Sequence, residues 1–322
     1  SLNSHGIVAI RDKEVMQTDV ERVIDAARAV AIPADQKILH ILPQEYVIDN
    51  QEGIREPVGM SGVRLEAKVH MVTGAVSAAQ NIIKCVRRCG LEVDDIILEQ
   101  LASSESVLLD DEKDLGVCLV DIGGGTTDIA VFTEGAIRHT AVIPIAGDLI
   151  TSDIAMALRT PTKDAEDVKI DSGCAKQLLT DAETQVEVPG LGDRGPRLLS
   201  RQVLAGVIEP RVEEIFALVH QVMRDSGFEE VLSSGIVLTG GSSVMPGMVE
   251  LGEDIFLKPV RRGVPKYSGV LADMVAQPRA ATVMGLLEEA RMARMRGLKV
   301  AQKSGSMRNA FGTVKDWFVG NF

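Results

Sequence analysis

The stretch DIGGGTTD, residues 121–128, constrains this chain more than any other. Three consecutive glycines, Gly123, Gly124 and Gly125, follow one strand-like run (LGVCLVDI) and precede another (DIAVFTEG). Glycine accepts the positive φ angles of a tight turn and leaves the backbone N–H groups uncovered, so such a turn can surround an anion. The segment predicts a β-hairpin whose tip binds phosphate, although a plain glycine-rich hairpin has the same pattern of strand, turn and strand.

The residues beside the glycines suit a phosphate that carries a metal ion. Asp121 would face the phosphates through water molecules on Mg²⁺, because this ion keeps much of its hydration shell in proteins. Thr126 and Thr127 would add hydroxyl donors. Two other phosphate-binding loops are excluded. The chain contains neither GxxxxGKS nor GxxxxGKT, and the glycines lead into a strand rather than into the helix of a dinucleotide-binding motif.

The composition limits the class of protein. With 322 residues, 45% of them hydrophobic, the chain can form two or more domains. Its net charge of −12 argues against a general nucleic-acid partner, because a negative surface repels phosphate backbones. The four cysteines form no CxxC pair, and no apolar run approaches the ~20 residues that cross a bilayer. We expect a reduced, cytosolic protein, and the start at Ser1 rather than Met predicts a fragment.

The first third of the chain alternates strand-like and helical segments. The opening block predicts strand, helix, strand and strand, and the spacing of Thr18 and Glu21 is typical of a capping box at the start of the helix. A second helix is expected from Thr73 to Gly90, followed by a short strand around Ile96 and a further helix through Ser103.

The remainder is expected to contain a second sheet. The acidic run at 110–114 is predicted to be a connector between domains, and the three strand-like runs that follow it suggest a meander. A helix should open at Gly147. The segment ETQVEVPGLGDRGPR is expected to be a loop within a helical region at 160–230.

Two later motifs extend the phosphate hypothesis. The run GIVLTGGSSVMPGM predicts a buried strand that turns at Gly240, Gly241 and Ser242. The run DAEDVKIDSG places Glu166 and Lys169 on one face of a helix, where the alternative is a surface salt bridge.

In this order the motifs resemble those of the actin, DnaK-type chaperone and sugar-kinase superfamily. DIGGGTTD is similar to its second phosphate motif, GIVLTGG to its adenosine motif, and DAEDVKI to the AExIK segment that contacts ribose and adenine. QLASSESVLL and ATVMGLL resemble its two connecting helices. ILPQEYVID, GMSGVRLEAKVH, GDLITSDIA and IEPR are similar to the pattern of one member, the FtsA family of bacterial cell-division proteins.

The resemblance implies an α/β fold: an actin-like (ribonuclease-H-like) ATPase core with a small strand-helix-strand-strand subdomain. The implied parts are subdomain 1C at 1–72, the rest of subdomain 1A with a hinge helix at 73–114, subdomain 2A at 115–146 and 233–290, subdomain 2B at 147–232, a basic linker at 291–306 and a membrane-targeting helix at 307–322. The implied nucleotide-binding residues are Asp121, Gly123, Gly124, Gly125, Thr126, Thr127, Glu166, Lys169, Gly240, Gly241 and Ser242. FtsA proteins carry a further phosphate motif near their start, which is absent after Ser1, so the site for ATP and Mg²⁺ is expected to be incomplete in this chain.

The carboxyl-terminal segment predicts a membrane anchor. Residues 291–315 contain basic but no acidic side chains. Apolar residues then recur at helical spacing, and the single tryptophan is among them: Met307, Phe311, Val314, Trp317 and Phe318. Such a helix can lie among the headgroups of an anionic membrane. The alternative is a terminal helix that docks on the protein itself.

The FtsA resemblance also implies partners and a place in the cell. The partners are the C-terminal peptide of FtsZ, further copies of the chain in actin-like filaments, anionic lipid and other divisome proteins. Arg197, Arg201, Arg211 and Glu214 are candidates for the peptide contact. The expected role is to tether FtsZ filaments to the cytoplasmic face of the inner membrane at the septum, with weak or no ATPase activity. The alternatives are a sugar-kinase-like phosphotransferase and a pilus-assembly actin homologue of PilM type.

Overall fold

A computed structural model describes residues 1–295 of the chain. These residues form two compact units. The first consists of 1–101, 136–140 and, among the described residues, those from 286 onward, and the second of 102–135 and 141–285. The predicted linker beyond residue 295 and the amphipathic helix with Met307, Phe311, Val314, Trp317 and Phe318 lie outside the described residues.

The first unit is built on an antiparallel four-stranded sheet with the order β1-β4-β2-β3. The strands are β1 (Leu2–Ala9), β2 (Gln36–Ile48), β3 (Gln51–Ile54) and β4 (Arg64–Ala75). Helix α1 (Gln17–Arg28) covers one face of this sheet. It approaches β1 so closely that a Cβ atom on Gly6 would lie 2.1 Å from the carbonyl oxygen of Val23. The predicted order of strand, helix, strand and strand is confirmed, with β3 as an addition.

Three local predictions in this unit are wrong. Helix α1 starts at Gln17. Its amino-terminal end is capped by Asp19, whose carboxylate accepts the Met16 N–H at 3.1 Å, and not by the predicted capping box of Thr18 and Glu21. Helix α2 (Val76–Arg88) starts after Thr73, because β4 continues to Ala75 and Thr73 pairs across the sheet with Ile38.

The third wrong prediction is the strand around Ile96, since residues 91–98 form neither strand nor helix. The Asp95 carboxylate accepts the N–H of Ile96 at 2.7 Å. A local side-chain bond of this kind satisfies a backbone group that a strand would pair with a neighbour. Helix α2 ends near Gly90, as predicted, and Gly90 has a φ of +78°.

The second unit contains a five-stranded sheet with the order β11-β10-β5-β6-β7. Its strands are β5 (Val117–Ile122), β6 (Thr127–Thr133), β7 (Ala136–Ile143), β10 (Ile236–Thr239) and β11 (Val260–Arg262), and residues 136–140 of β7 are counted with the first unit. The pair β5 and β6 is antiparallel, whereas β10 runs parallel to both β5 and β11. The three strands of the predicted meander, β5, β6 and β7, are therefore neighbours. All six residues of β5 are buried, which is typical of a central strand.

Helices complete the second unit. They are α4 (Asp110–Leu115), α5 (Gly147–Leu158), α6 (Thr162–Ser172), α7 (Arg201–Ser226), α8 (Met248–Phe256) and α9 (Ala272–Val275). Helices α3 (Glu99–Val107) and α10 (Ala281–Met295) each contain residues of both units. No helix in residues 1–295 combines the length and the apolar character needed to cross a membrane.

Two predicted loops of the second unit contain regular structure. The acidic run at 110–114 forms α4, because three acidic residues in the first turn favour the helix dipole and Glu112 accepts the N–H of Leu109 at 2.8 Å. The segment ETQVEVPGLGDRGPR contains strand β8 (Gln185–Val188), which pairs with β9 (Arg197–Ser200), a strand that begins at the last residue of the segment. The alternation of polar and apolar residues in QVEV was the available signal for a strand.

Candidate functional site

The DIGGGTTD segment forms a hairpin turn between β5 and β6. The Gly123 N–H donates to the Thr126 carbonyl at 2.9 Å and closes the turn. The Gly123 carbonyl accepts the Gly147 N–H at 3.1 Å, and the Gly124 carbonyl accepts the Asp148 N–H at 2.8 Å. The first two residues of α5 therefore fix the positions of these two carbonyl groups of the turn.

The N–H groups at the tip of the hairpin are uncommitted. Across residues 1–295, no acceptor takes a hydrogen bond from the N–H of Gly124, Gly125 or Thr126. Gly124 and Gly125 are exposed, and a Cβ atom on Gly125 would have no heavy atom within 4 Å. Successive free backbone N–H groups form a concave donor surface that suits an anion such as a phosphate.

Asp121 lies at the base of the hairpin with its carboxylate buried, only 3% of the residue being exposed. The Ser103 hydroxyl, on α3, donates to this carboxylate at 2.6 Å. Asp128 is its direct neighbour across the two strands. Burial raises the pKa of Asp121, the Ser103 hydroxyl acts to lower it, and the charge of Asp128 raises it further. A cation at this place would relieve both carboxylates, so the pair fits a hydrated Mg²⁺ ion.

The two threonines of the motif have their hydroxyl groups engaged within the chain. The buried Thr127 hydroxyl donates to the Ile145 carbonyl at 2.7 Å, and the Thr126 hydroxyl donates to Asp128 at 2.8 Å. Both side chains thus stabilise the hairpin by hydrogen bonds within the chain. The donors that remain for a ligand are the backbone N–H groups.

The second glycine turn packs directly against the hairpin. Strand β10 runs parallel to β5 with Thr239 beside Asp121, so Gly240 follows at the end of the strand. Gly240 has a φ of +84°, and a Cβ atom there would lie 2.4 Å from a carboxylate oxygen of Asp121. Ser242 donates its hydroxyl hydrogen to the Gly123 carbonyl at 2.8 Å. The structure therefore brings the two predicted motifs into contact.

Glu166 and Lys169 join the same cluster. Their side chains form an ion pair of 2.7 Å, and Lys169 also donates to the Gly147 carbonyl at 3.0 Å and to the Thr151 hydroxyl at 2.7 Å. Lys169 is buried, whereas the Glu166 side chain is 41% exposed. Burial acts to raise the pKa of Glu166, but hydrogen bonds from Lys169 and Thr151 outweigh it and lower this pKa. Because Lys169 is buried, the pair differs from an ordinary surface salt bridge.

Some members of this cluster were missed by sequence reasoning. Ser103 was recognised only as part of a helix, and Gly147 only as a helix start, whereas both contact the phosphate motif. Thr151 accepts from Lys169 and donates to Glu166. One signal was available for Thr151: it lies one helical turn after Gly147, on the same face of α5.

The two segments that resemble connecting helices, in α3 and α10, pack closely at a glycine. A Cβ atom on Gly285, in α10, would lie 1.7 Å from the carbonyl oxygen of Ala102, in α3. The Ser106 hydroxyl also donates to the Ala281 carbonyl at 2.7 Å. Small residues therefore allow the backbones of α3 and α10 to come into contact. This contact helps to hold Ser103, on α3, in its position beside Asp121.

The predicted peptide-binding arginines hold the helices of the second unit together. Arg211 donates to both carboxylate oxygens of Asp153, at 2.6 and 3.2 Å, and also pairs with Glu214. Arg201 donates to the Ser172 carbonyl at 2.9 Å, and Arg197 donates to the Leu158 carbonyl. Arg197 is exposed, so of the three it retains the most freedom to meet a partner.

A separate cavity of about 320 Å³ lies along α6 and β8. Four of its lining residues are acidic: Asp164, Asp167, Asp171 and Glu187. Their charge opposes the binding of a phosphate, so this cavity is a poor alternative to the glycine hairpin.

Solved structures with the same fold support the actin-like architecture. MreB5 of Spiroplasma citri bound to ADP is 20% identical, with a TM-score of 0.56 over 69% of this chain and 68% of that chain. The PilM-PilN type IV pilus biogenesis complex is 16% identical, with a TM-score of 0.60 over 88% of this chain and 75% of that chain. At these identities the similarity shows the fold alone, and it confirms the predicted fold class.

Family models and curated relatives are more specific. The family described as "Cell division protein FtsA" matches residues 118–285, and the "SHS2 domain inserted in FTSA" matches residues 1–73. The FtsA protein of Pseudomonas aeruginosa is 62% identical over 100% of this chain and 79% of its own length. That of Escherichia coli is 47% identical over 94% of this chain and 73% of its own length. The chain therefore belongs to the FtsA family of cell-division proteins.

Proposed function

We propose that this chain, whose nucleotide site is expected to be incomplete, binds ATP with Mg²⁺ weakly at the glycine hairpin. We further propose that, as an actin-like protein, it tethers FtsZ filaments to the cytoplasmic face of the inner membrane at the division septum. The observation that carries the nucleotide part is the row of uncommitted N–H groups at Gly124, Gly125 and Thr126. Fold relatives that are described as bound to ADP and to AMPPNP support the same assignment.

The roles of the residues follow from their places in the cluster. The free N–H groups would bind the phosphates, and the exposed carboxylate of Glu166 would accept hydrogen bonds from the ribose hydroxyls. Gly240 and Gly241 would let the nucleoside lie against the backbone. Asp121 would accept a hydrogen bond from water on Mg²⁺, and this ion would supply charge neutralisation for the phosphates.

We propose that the nucleotide controls assembly and that turnover is slow. Phosphoryl transfer to water needs a residue that orients the attacking water. The glutamate that the DnaK-type pattern suggests for this role is Glu99, which is exposed at the first position of α3.

Membrane attachment is assigned to residues 307–322 and the peptide contact to Arg197, Arg201, Arg211 and Glu214. Self-assembly and recruitment of further divisome proteins are the remaining parts of the proposal.

Replacement of Gly125 by valine tests the nucleotide site with little risk to the fold. The side chain would enter open space, because nothing lies within 4 Å of a Cβ atom at Gly125. It would nevertheless cover the neighbouring N–H groups. Gly195→Val is a matched control, since Gly195 is also exposed and a Cβ atom there would likewise have no heavy atom within 4 Å.

The measurement is calorimetric titration of the parent and both variants with ATP and Mg²⁺. We expect Gly125→Val to weaken binding at least tenfold and Gly195→Val to leave it unchanged, with equal thermal stability for all three proteins. Equal ATP affinity for Gly125→Val and the parent would refute the hairpin as the phosphate site.

A further inference from the structure

One side chain reaches the hairpin from the other glycine motif. Ser242 donates to the Gly123 carbonyl at 2.8 Å, although the two residues are 119 positions apart in the chain. Its hydroxyl oxygen lies in a narrow space, since a Cβ atom on Gly147 would be 2.3 Å away. In residues 1–295, Ser242 is the only side chain that donates to a carbonyl of the turn at 123–126.

The Gly123 carbonyl and the Gly124 N–H belong to the same peptide group. A peptide group is planar and trans, so its C=O and N–H bonds point in opposite directions and rotate together. Whatever fixes the carbonyl therefore fixes the N–H. The Gly147 N–H and the Ser242 hydroxyl both donate to the Gly123 carbonyl. The Gly124 N–H, on the opposite side of the same peptide group, therefore points away from Gly147 and Ser242.

This restraint is needed because the turn consists of glycine. Three adjacent glycines lack the Cβ atoms that limit φ and ψ in other residues, so the peptide groups between them can rotate. A donor that rotates loses entropy when it binds a ligand, whereas a donor already oriented does not.

We infer that Ser242 is a positioning residue, which orients the Gly124 N–H toward a bound phosphate and makes no necessary contact with the nucleotide itself. This role rests on the proposed function of the hairpin. It also links the adenosine motif to the phosphate motif, since the residue that follows Gly240 and Gly241 sets the geometry of the phosphate turn.

The first test needs no nucleotide. Ser242→Ala removes the hydroxyl and adds no bulk, and Ser226→Ala is a matched control that removes a hydroxyl bonded to the Met223 carbonyl at 2.8 Å. The readout is the backbone ¹⁵N order parameter of Gly124 in the free protein. We expect it to fall from about 0.85, typical of rigid backbone, toward about 0.6 in Ser242→Ala and to stay unchanged in Ser226→Ala. An unchanged order parameter in Ser242→Ala would overturn the inference.

The second test separates the phosphate part of the ligand from the nucleoside part. In calorimetric titrations, Ser242→Ala should weaken the binding of ATP with Mg²⁺ about three- to tenfold, the range of one hydrogen bond, and leave adenosine binding unchanged. An equal loss for ATP and adenosine would show a direct nucleoside contact and would also overturn the inference. If the parent protein binds no ATP, the proposed function fails, and the order parameter of Gly124 still decides the role of Ser242.

Discussion

Replacement of Gly240 by alanine should destabilise the protein far more than replacement by alanine of a glycine that has a positive φ angle but lies in open space. The new methyl group would lie 2.4 Å from a carboxylate oxygen of Asp121 and 2.5 Å from the carbonyl oxygen of Ile122. Cβ atoms essentially never lie within 3.0 Å of another heavy atom, so both contacts are too short to form unless the neighbouring atoms move. The Ile122 carbonyl belongs to central strand β5 and cannot move without the sheet.

The magnitude has two parts. Gly240 has a φ of +84° and a ψ of +167°, a region that is essentially restricted to glycine, and a non-glycine residue there costs at least about 1 kcal/mol. Displacement of the buried Asp121 carboxylate would weaken its bond to Ser103, and a buried polar group that loses its partner costs about 1–3 kcal/mol. We expect about 3 kcal/mol in total for Gly240→Ala, which is a large share of a typical stability of about 5–15 kcal/mol.

Gly227→Ala is a control for a positive φ angle in open space. Gly227 has a φ of +77° and a ψ of +9°, whereas the ψ of Gly240 is +167°, and no heavy atom lies within 4 Å of the Cβ position of Gly227. This control should lose about 1 kcal/mol. At about 2–4 °C per kcal/mol, the melting temperatures should fall by about 2–4 °C for Gly227→Ala and by about 6–12 °C for Gly240→Ala.

Urea denaturation, followed by circular dichroism, would give the free energies of unfolding, and calorimetry the melting temperatures. If Gly240→Ala loses no more stability than Gly227→Ala, the close contact between the second glycine turn and Asp121 is refuted. The role proposed for Gly240 beside the nucleoside would then lose its structural support as well.

Four further predictions concern other parts of the molecule. Burial lowers the pKa of His70 from 6.5 to about 4. Between these pH values the unfolded chain binds a proton at His70 and the folded protein does not, so the free energy of unfolding should fall by up to about 3 kcal/mol as the pH drops from 6.5 to 4. His70→Gln should flatten this dependence in urea titrations and exposed His5→Gln should not, and equal slopes would contradict the assignment. Lys169→Met removes the buried cation that Glu166 and the Gly147 carbonyl share. It should cost about 2 kcal/mol of unfolding free energy, against less than about 0.5 kcal/mol for the exposed Lys163→Met on the same helix. Arg197→Ala should weaken binding of a labelled FtsZ C-terminal peptide about tenfold in fluorescence anisotropy, whereas Arg224→Ala should not, and unchanged binding would remove Arg197 from the partner surface. Deletion of residues 306–322 should abolish co-sedimentation with anionic liposomes, and full binding of the shortened chain would refute the anchor.

The local pattern of the sequence was sufficient for the elements that bear the motifs. Strands β5, β6 and β10 and the start of α5 are confirmed, because these buried strands are mainly apolar and glycines follow β5 and β10. The FtsA resemblance is likewise confirmed, since it rests on runs of residues that are contiguous in the chain. The wrong predictions lie where a side chain forms a local hydrogen bond with the backbone in place of the predicted interaction. Asp19 caps α1 in place of Thr18, and Asp95 bonds the backbone at Ile96 in place of a strand neighbour.

Sequence alone determined which residues form the glycine hairpin, the second glycine turn and the pair of Glu166 and Lys169. Tertiary structure alone decided how these motifs touch. Ser242 bonds Gly123, Gly240 makes room for Asp121, and Lys169 caps the carbonyl of Gly147. Each contact joins residues that the sheet order and helix packing bring together. The periodicity of a sequence reports which face of an element is buried but not which element it meets, so no pattern within one segment could have specified these contacts.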